Sequence, residues 1–368
     1  MIEIKSELLE KFSRSRILVV GDLMLDESLL GHIERISPEA PVPILNLVRR
    51  GYALGGAGNV VRNLRTLGAK VVVLGVVGED STGRHILRLL DQLGVDGQGV
   101  LRDPGRRSSR KTRMISMEHG QQVFRLDEES THPLDQAQEC ELLTRLEAIL
   151  PDVNAVLCSD YLKGVLTERV LQETFRLAKN RGLQVTVAPK DSNRNKYHGA
   201  GILMLNAVEL ARLAAAARYE NGWQTAAACN LINEMGIEAL LVTRGCEGMS
   251  LFERAHGEVQ QVDIPTMAQS VYDVTGAGDT AVSVFTLSVA AGADRETAAR
   301  VANIAAGIVV GKPGTASVTI QEIQDWMREF RGLPAESRVA AHPSQAALGP
   351  LDLAAPPERL KTGISAND

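Results

Sequence analysis

The segment Val271-Tyr272-Asp273-Val274-Thr275-Gly276-Ala277-Gly278-Asp279-Thr280 sets two glycines and an aspartate between a β-branched run and a long apolar stretch. Glycine lets a backbone turn tightly and approach a ligand with no Cβ in the way. A helix beginning in such a turn aims unpaired N–H groups, and the positive end of its dipole, at the space ahead of it. Asp279 then stands in the first helical turn, beside a place suited to a phosphoryl group. The amides of Gly276, Ala277 and Gly278 would meet developing negative charge, and the carboxylate would take a proton. Transfer of phosphate to a hydroxyl needs both. An ordinary glycine turn followed by a dipole-compatible aspartate uses the same residues, so the surroundings must decide.

Those surroundings alternate. Short β-branched runs at 17–20, 71–77, 155–158, 185–187, 202–205 and 239–243 are mostly followed by helical patterns. That rhythm predicts an α/β fold with a mostly parallel central sheet covered by helices on both faces. Ligands bind such sheets at the carboxyl ends of the strands. Attention therefore falls on Asp22, Asp26, Asp160, Lys190, Asn206, Arg244 and Asp279.

Two stretches break the rhythm. Between residues 28 and 52, Pro38, Pro41 and Pro43 fall among Ile33, Ile36, Val42, Ile44, Leu45 and Val48. The prolines oppose a helix and suit edge strands. Residues 112–126 predict a second strand pair turning near His119-Gly120. The two pairs form either a small β-sheet lid or two separate surface hairpins. One domain is expected over residues 1–332. From 333 to 368, proline, alanine, serine and glycine dominate, which predicts a disordered tail.

Composition narrows the function class. Hydrophobic residues make up 44% of the 368, enough for a large core, and the net charge of −5 carries no general nucleic-acid signal. Cys140, Cys158, Cys229 and Cys246 form no CxxC pair, so free thiols in a reducing cytoplasm are expected. The N-terminal MIEIKSELLEKF reads as an acidic amphipathic helix without a signal-peptide core. The apolar stretch 280–293 is too short to cross a bilayer. The expectation is a soluble cytoplasmic protein with neither nucleic acid nor membrane as partner.

The DVTGAGDT string resembles the ribokinase-like (phosphofructokinase-B type) carbohydrate kinases. So do Gly55-Gly56-Ala57-Gly58-Asn59, Gly75-Val76-Val77-Gly78-Glu79-Asp80 with Gly83, and Asn206-Ala207-Val208-Glu209. The resemblance spans residues 16–318 with the motifs in family order. Within that family, Arg35-Ile36-Ser37-Pro38-Glu39-Ala40-Pro41-Val42-Pro43 is similar to the lid of bacterial heptose 7-phosphate kinases. Gln122-Val123-Phe124-Arg125-Leu126-Asp127, Ser159-Asp160-Tyr161-Leu162-Lys163-Gly164 and Gly307-Ile308-Val309-Val310-Gly311-Lys312 resemble the same group.

The resemblance implies a ribokinase-like three-layer fold with a small β-sheet lid. It implies MgATP-dependent phosphorylation of D-glycero-β-D-manno-heptose 7-phosphate at O1, giving the 1,7-bisphosphate for ADP-heptose and lipopolysaccharide core synthesis. A kinase for another sugar or sugar phosphate, or a degenerate sugar-phosphate-binding protein, stays open. Many members carry a nucleotidyltransferase domain with an HxGH motif. None occurs in this sequence, so a stand-alone kinase relying on a separate nucleotidyltransferase is expected, and pairing of lids predicts a homodimer.

The residues then receive roles. Asp279 is the base, with the 276–278 amides at the transferred group. Asn206-Ala207-Val208-Glu209 belongs to the nucleotide–magnesium site, with Glu209 acting through water, although Asn206 and Glu209 equally fit a helix cap and first-turn acid. Thr243, Arg244, Gly245 and Gly248 resemble a nucleotide-binding turn, and a plain strand-connecting turn is the alternative. Asn303 matches a position near the adenine. Asp26, Gly55, Gly56 and Asn59 carry the sugar match, with Asp26 preferred over Asp22. For the substrate's own phosphate, Lys111 and Arg113 share a strand face, and Arg125 and Lys163 are further candidates. Two departures stand out: Ala188-Pro189-Lys190 replaces a usual Asp-Pro-Lys, and Met204-Leu205-Asn206 replaces Thr-Pro-Asn. Lys190 remains as a phosphate contact.

Overall fold

The computed structural model describes residues 6–118, 120–190, 193–215, 222–255, 257–268 and 270–329. Nine strands form the main sheet: β1 (Arg16–Gly21), β4 (Lys70–Gly78), β5 (Val100–Asp103), β8 (Ala155–Ser159), β9 (Gln184–Ala188), β10 (Ile202–Asn206), β11 (Ala239–Thr243), β12 (Met249–Ala255) and β13 (Glu258–Ile264). Their order is β13-β12-β11-β10-β9-β8-β1-β4-β5. Every pair from β11 to β5 is parallel, and β12 and β13 add an antiparallel edge. All six runs expected from β-branched residues are strands of this sheet.

The strand period of two sorts side chains between two cores. In β1, Ile17 and Val19 join one buried cluster and Leu18 and Val20 the other. The first cluster is completed by α1 (Ser6–Glu10), α2 (Ala57–Thr66), α3 (Ser81–Gln92), α9 (Ala277–Ala290), α10 (Arg295–Val309) and α11 (Ile320–Glu329). The second holds α4 (Gln136–Ile149), α5 (Glu168–Lys179), α6 (Arg194–Tyr197), α7 (Ala207–Ala214) and α8 (Trp223–Met235). The result is the expected three-layer α/β arrangement. Helix α9 is buried without interruption from Thr280 to Ser288. Two of its hydroxyls are satisfied within the helix: Ser283 donates to the Asp279 carbonyl and Thr286 to that of Val282.

The remaining strands, β2 (Leu23–Ile36), β3 (Pro43–Gly56), β6 (Ser109–Ser116) and β7 (Gln122–Glu128), make a separate sheet in the order β3-β2-β6-β7. The two strand pairs are therefore one lid sheet, joined by parallel pairing of β2 with β6. Pro43 opens β3, an edge strand, where a missing N–H is harmless. Both lid pairs are longer than expected, because β2 leaves the main sheet directly after Asp22 and β3 runs straight into α2. His119 and the 333–368 tail lie outside the described residues. No described helix is long and apolar enough to cross a membrane.

Candidate active site

Helix α9 begins at Gly276, whose φ of 82° is left-handed and suits glycine. A Cβ there would lie 3.1 Å from Asn59 Nδ2, whereas one on Gly278 would meet nothing within 4 Å. The turn is thus packed behind and open in front. Ala277 is the first helical residue and Asp279 stands in the first turn. Asp279 Oδ2 accepts from Asn59 Nδ2 at 2.7 Å, and Oδ1 accepts from the Tyr161 hydroxyl at 2.8 Å. Burial pushes the Asp279 carboxyl above the ordinary aspartate range, against the hydrogen bonds from Asn59 and Tyr161 and the positive charge of Lys190. A carboxylate held by two neutral donors, with its basicity raised, is equipped to take a proton from a neighbouring hydroxyl.

Asp279 faces a cleft of about 240 Å³ at the carboxyl ends of the central strands. Its lining combines Gly276 and Gly278 with Asp160 and Tyr161 after β8, Ala188 to Lys190 after β9, Asn206 and Glu209 after β10, and Thr243 closing β11. Asn206 and Glu209 form the helix cap that their spacing allowed, and both line the cleft. Asn206 Oδ1 accepts from the Glu209 amide at 2.9 Å, and Glu209 Oε2 accepts from the Asn206 amide at 2.8 Å, forming a capping box. The other oxygen of Glu209 pairs with Lys190, whose ammonium also lies 5.5 Å from the Tyr161 ring centre. Ala188 and Met204 both line this cleft, so the two departures leave apolar surface next to the lysine and the glutamate.

Other nucleotide candidates sit further out. Arg244, Gly245 and Gly248 form the hairpin turn between β11 and β12, with Arg244 3.5 Å from both Glu247 and Asp263. Asn303 is buried in α10 and donates to the Pro265 carbonyl at 2.6 Å. Ala207 and Val208 lie in the first turn of α7, with Val208 exposed. None of these six is among the cleft-lining residues.

The lid supplies the sugar candidates. A Cβ on Gly55 would lie 2.4 Å from Asp26 Oδ2, so only glycine admits that carboxylate. Asp26 Oδ1 pairs with Arg113 at 2.5 Å. Lys111 bridges Asp127 at 2.8 Å and Glu129 at 3.2 Å; Lys163 reaches Glu129 at 2.8 Å and Arg125 reaches Asp127 at 2.9 Å. The four expected cations are thus brought to one region, each already facing a carboxylate. Burial alone would raise Asp127 and Glu129, but these cations hold both below the ordinary range.

Asp22 has a different task from Asp26. Fully buried, it accepts from the backbone amides of Tyr161, Lys163 and Val165 at 2.7, 3.1 and 3.2 Å, tying β1 to the loop after β8. Tyr161 was not among the expected site residues, although its motif was noted. Its place two residues after a strand run is the signal that marks it. Asn59, expected at the sugar, donates to the Asp279 carboxylate.

A model of the pfkB carbohydrate kinase family matches residues 14–322. The bifunctional protein HldE of Geotalea uraniireducens is 46% identical over 323 residues, covering 87% of this chain and 65% of that protein. HldE of Trichlorobacter lovleyi is 44% identical over 316 residues, 86% of this chain and 63% of that protein. The chain therefore spans less than two thirds of the length of these relatives. Among solved structures, Escherichia coli phosphofructokinase-2 in complex with potassium superposes with a TM-score of 0.71 at 19% identity, over 86% of this chain and 99% of that one. Arabidopsis thaliana ribokinase complexed with ribose and ATP gives 0.67 at 20% identity, over 85% and 99%. Those two likenesses establish the ribokinase-like fold, and the family match over most of the residues makes the chain a member of the pfkB family of carbohydrate kinases.

Proposed function

We propose that the protein transfers the γ-phosphoryl group of ATP to a hydroxyl of a sugar phosphate, with D-glycero-β-D-manno-heptose 7-phosphate, phosphorylated at O1, as the leading substrate. The observation that carries the chemistry is the Asp279 carboxylate, raised in basicity and held by Asn59 and Tyr161 at the open front of the Gly276–Gly278 turn. The acceptor oxygen forms a bond to the γ-phosphorus as the bond to the ADP oxygen breaks, and the hydroxyl proton goes to Asp279. The amides at the start of α9 meet the charge on the transferred group. Lys190 is placed to follow the phosphates.

Magnesium fits the donor chemistry of this end of the cleft. Glu209 and Asn206 offer hard oxygen ligands, but both carboxylate oxygens of Glu209 are occupied by Lys190 and the helix cap. Glu209 would therefore hold the ion through water, the phosphates supplying the direct bonds, as suits a cation that keeps much of its hydration. The ion supplies neutralisation of phosphate charge.

The heptose assignment rests on the lid motif and the HldE similarity. The lid also supports a homodimer. Ile36, Val42, Val48 and Phe124 are each at least half exposed, an apolar surface that a second copy would cover. Transfer of the product to a nucleotidyltransferase, and action in the cytoplasm, belong to the same proposal. ADP release measured with a panel of sugars and sugar phosphates tests it. Turnover highest with heptose 7-phosphate supports the assignment, a preference for another sugar redirects it, and ligand binding without ADP release from any member would refute a kinase.

A further inference from the structure

Arg62 lies on α2, less than one turn after Asn59, and its setting is unusual for an arginine. Its Nη2 donates to Asn59 Oδ1 at 2.7 Å and to the Thr315 carbonyl. Its Nε is buried with no hydrogen-bond partner, and among the described residues no carboxylate lies within ion-pair distance of it. The guanidinium is half-buried, and the nearby charges of Asp26 and Asp279 offset part of the cost of taking it out of water. Its hydrogen bonds show what else it serves.

The group it serves is the Asn59 carboxamide. Asn59 Oδ1 faces the guanidinium of Arg62, while Nδ2 faces the carboxylate of Asp279 at 2.7 Å. A flipped amide would set its NH2 against a guanidinium and its oxygen against a carboxylate, two repulsive contacts in place of two attractive ones. Arg62 therefore determines which end of Asn59 points at Asp279. Its second bond reaches the segment between α10 and α11, where the Thr315 side chain lies 3.5 Å from the Cβ position of Gly276. One guanidinium thus links α2, the partner of the catalytic carboxylate, and the segment backing the glycine turn. Neighbouring Asn63 backs the same carboxamide more weakly, its Nδ2 reaching Asn59 Oδ1 at 3.5 Å, while its Oδ1 accepts from Thr280 on α9 at 3.0 Å.

We infer that Arg62 is a positioning residue for phosphoryl transfer, acting through Asn59 to orient the Asp279 carboxylate. The inference rests on Asp279 being the base. Small displacements of a reacting group cost large factors in rate, so Arg62→Met should lower kcat about tenfold or more. KM for both substrates should stay within about threefold, because Arg62 is not among the cleft-lining residues. Arg62→Lys should recover part of the loss, since one donor and the charge return.

A double-mutant cycle distinguishes positioning from a general structural role. In an Asn59→Ala background, adding Arg62→Met should cost less than about threefold more in kcat. A full repeat of the loss there, or Arg62→Met turnover within about threefold of the parent, would overturn the inference. Should Arg62→Met fail to fold, the cycle is run with Arg62→Lys, under the same criterion of non-additivity. Asp279→Asn is the control. An active Asp279→Asn removes the base and this inference together; an inactive one beside a normal Arg62→Met removes this inference alone.

Discussion

The cleft and the lid handle negative charge in opposite ways. Asp279 in the cleft is held by an amide and a phenol, and Asp22 in the protein interior behind it by backbone N–H groups; burial raises both carboxyls. In the lid, Asp26, Glu27, Asp127 and Glu129 each face a lysine or arginine. Uncompensated charge at Asp279 makes it a better proton acceptor. Compensated charge lets the small sheet carry many ions at once. On the proposed reading, a sugar phosphate would compete with Asp127 and Glu129 for the same cations, which would favour a dianion over a neutral sugar.

Removing the proposed base should have the largest effect. Asp279→Asn keeps the shape and should lower kcat by roughly 10²-fold or more while ATP still binds, as read by steady-state kinetics and calorimetry. Its stability should move the other way. Because the folded carboxyl binds its proton more tightly than the unfolded one, the stability that Asp279 contributes is greatest below the ordinary aspartate pKa and is lost as pH rises through the folded value. Asp279→Asn should therefore unfold no more easily than the parent at neutral pH, with its relative advantage shrinking in acid. A thermal melt at the two pH values reads this.

Loosening the neutral clamp should have a smaller effect. Tyr161→Phe removes a bond that lowers the Asp279 pKa, so the carboxyl should titrate higher. The acid limb of kcat should move to higher pH, with a loss of about tenfold at neutral pH. An acid limb that moved down or stayed in place would break the contrast drawn for the cleft.

In the lid, Lys111→Met takes one of two cations from each of Asp127 and Glu129. KM for the sugar phosphate should rise several-fold, about threefold to tenfold, with KM for ATP unchanged. Equal effects on the two substrates would mean that this cluster is only architecture. The smallest catalytic effect is expected from Ile44→Lys on the half-buried part of β3. It should convert a dimer to a monomer by light scattering, with a change in sugar KM of about threefold or less. An unaltered mass would refute a dimer joined through this surface.

Much of the framework was legible because it is local. Six β-branched runs became strands, and the prolines around Pro43 correctly pointed to an edge strand. The β13 edge was missed because Gln260-Gln261 break the polar–apolar alternation of Glu258–Ile264, which holds no continuous buried run. Union of the two lid pairs depends on β2 meeting β6 in parallel, a distant pairing that no local pattern encodes. The site shows the same division. Asp279 was readable from its glycine turn, but its bond to Asn59 joins residues 220 positions apart. Tyr161 and Arg62 contribute through contacts made only on folding, so residue type and spacing gave no role to either.

The capping box at Asn206 makes Glu209 answer to two neighbours at once. One carboxylate oxygen secures the first turn of α7 and the other holds Lys190. Anything that draws Glu209 toward a hydrated cation, or Lys190 toward a phosphate, redistributes the charge that closes the helix end. The Asn206 amide is the hydrogen bonded directly to that carboxylate, and its exchange with deuterated solvent reports local opening. A single amide in the backbone thereby becomes a gauge of cleft occupancy, readable without any turnover.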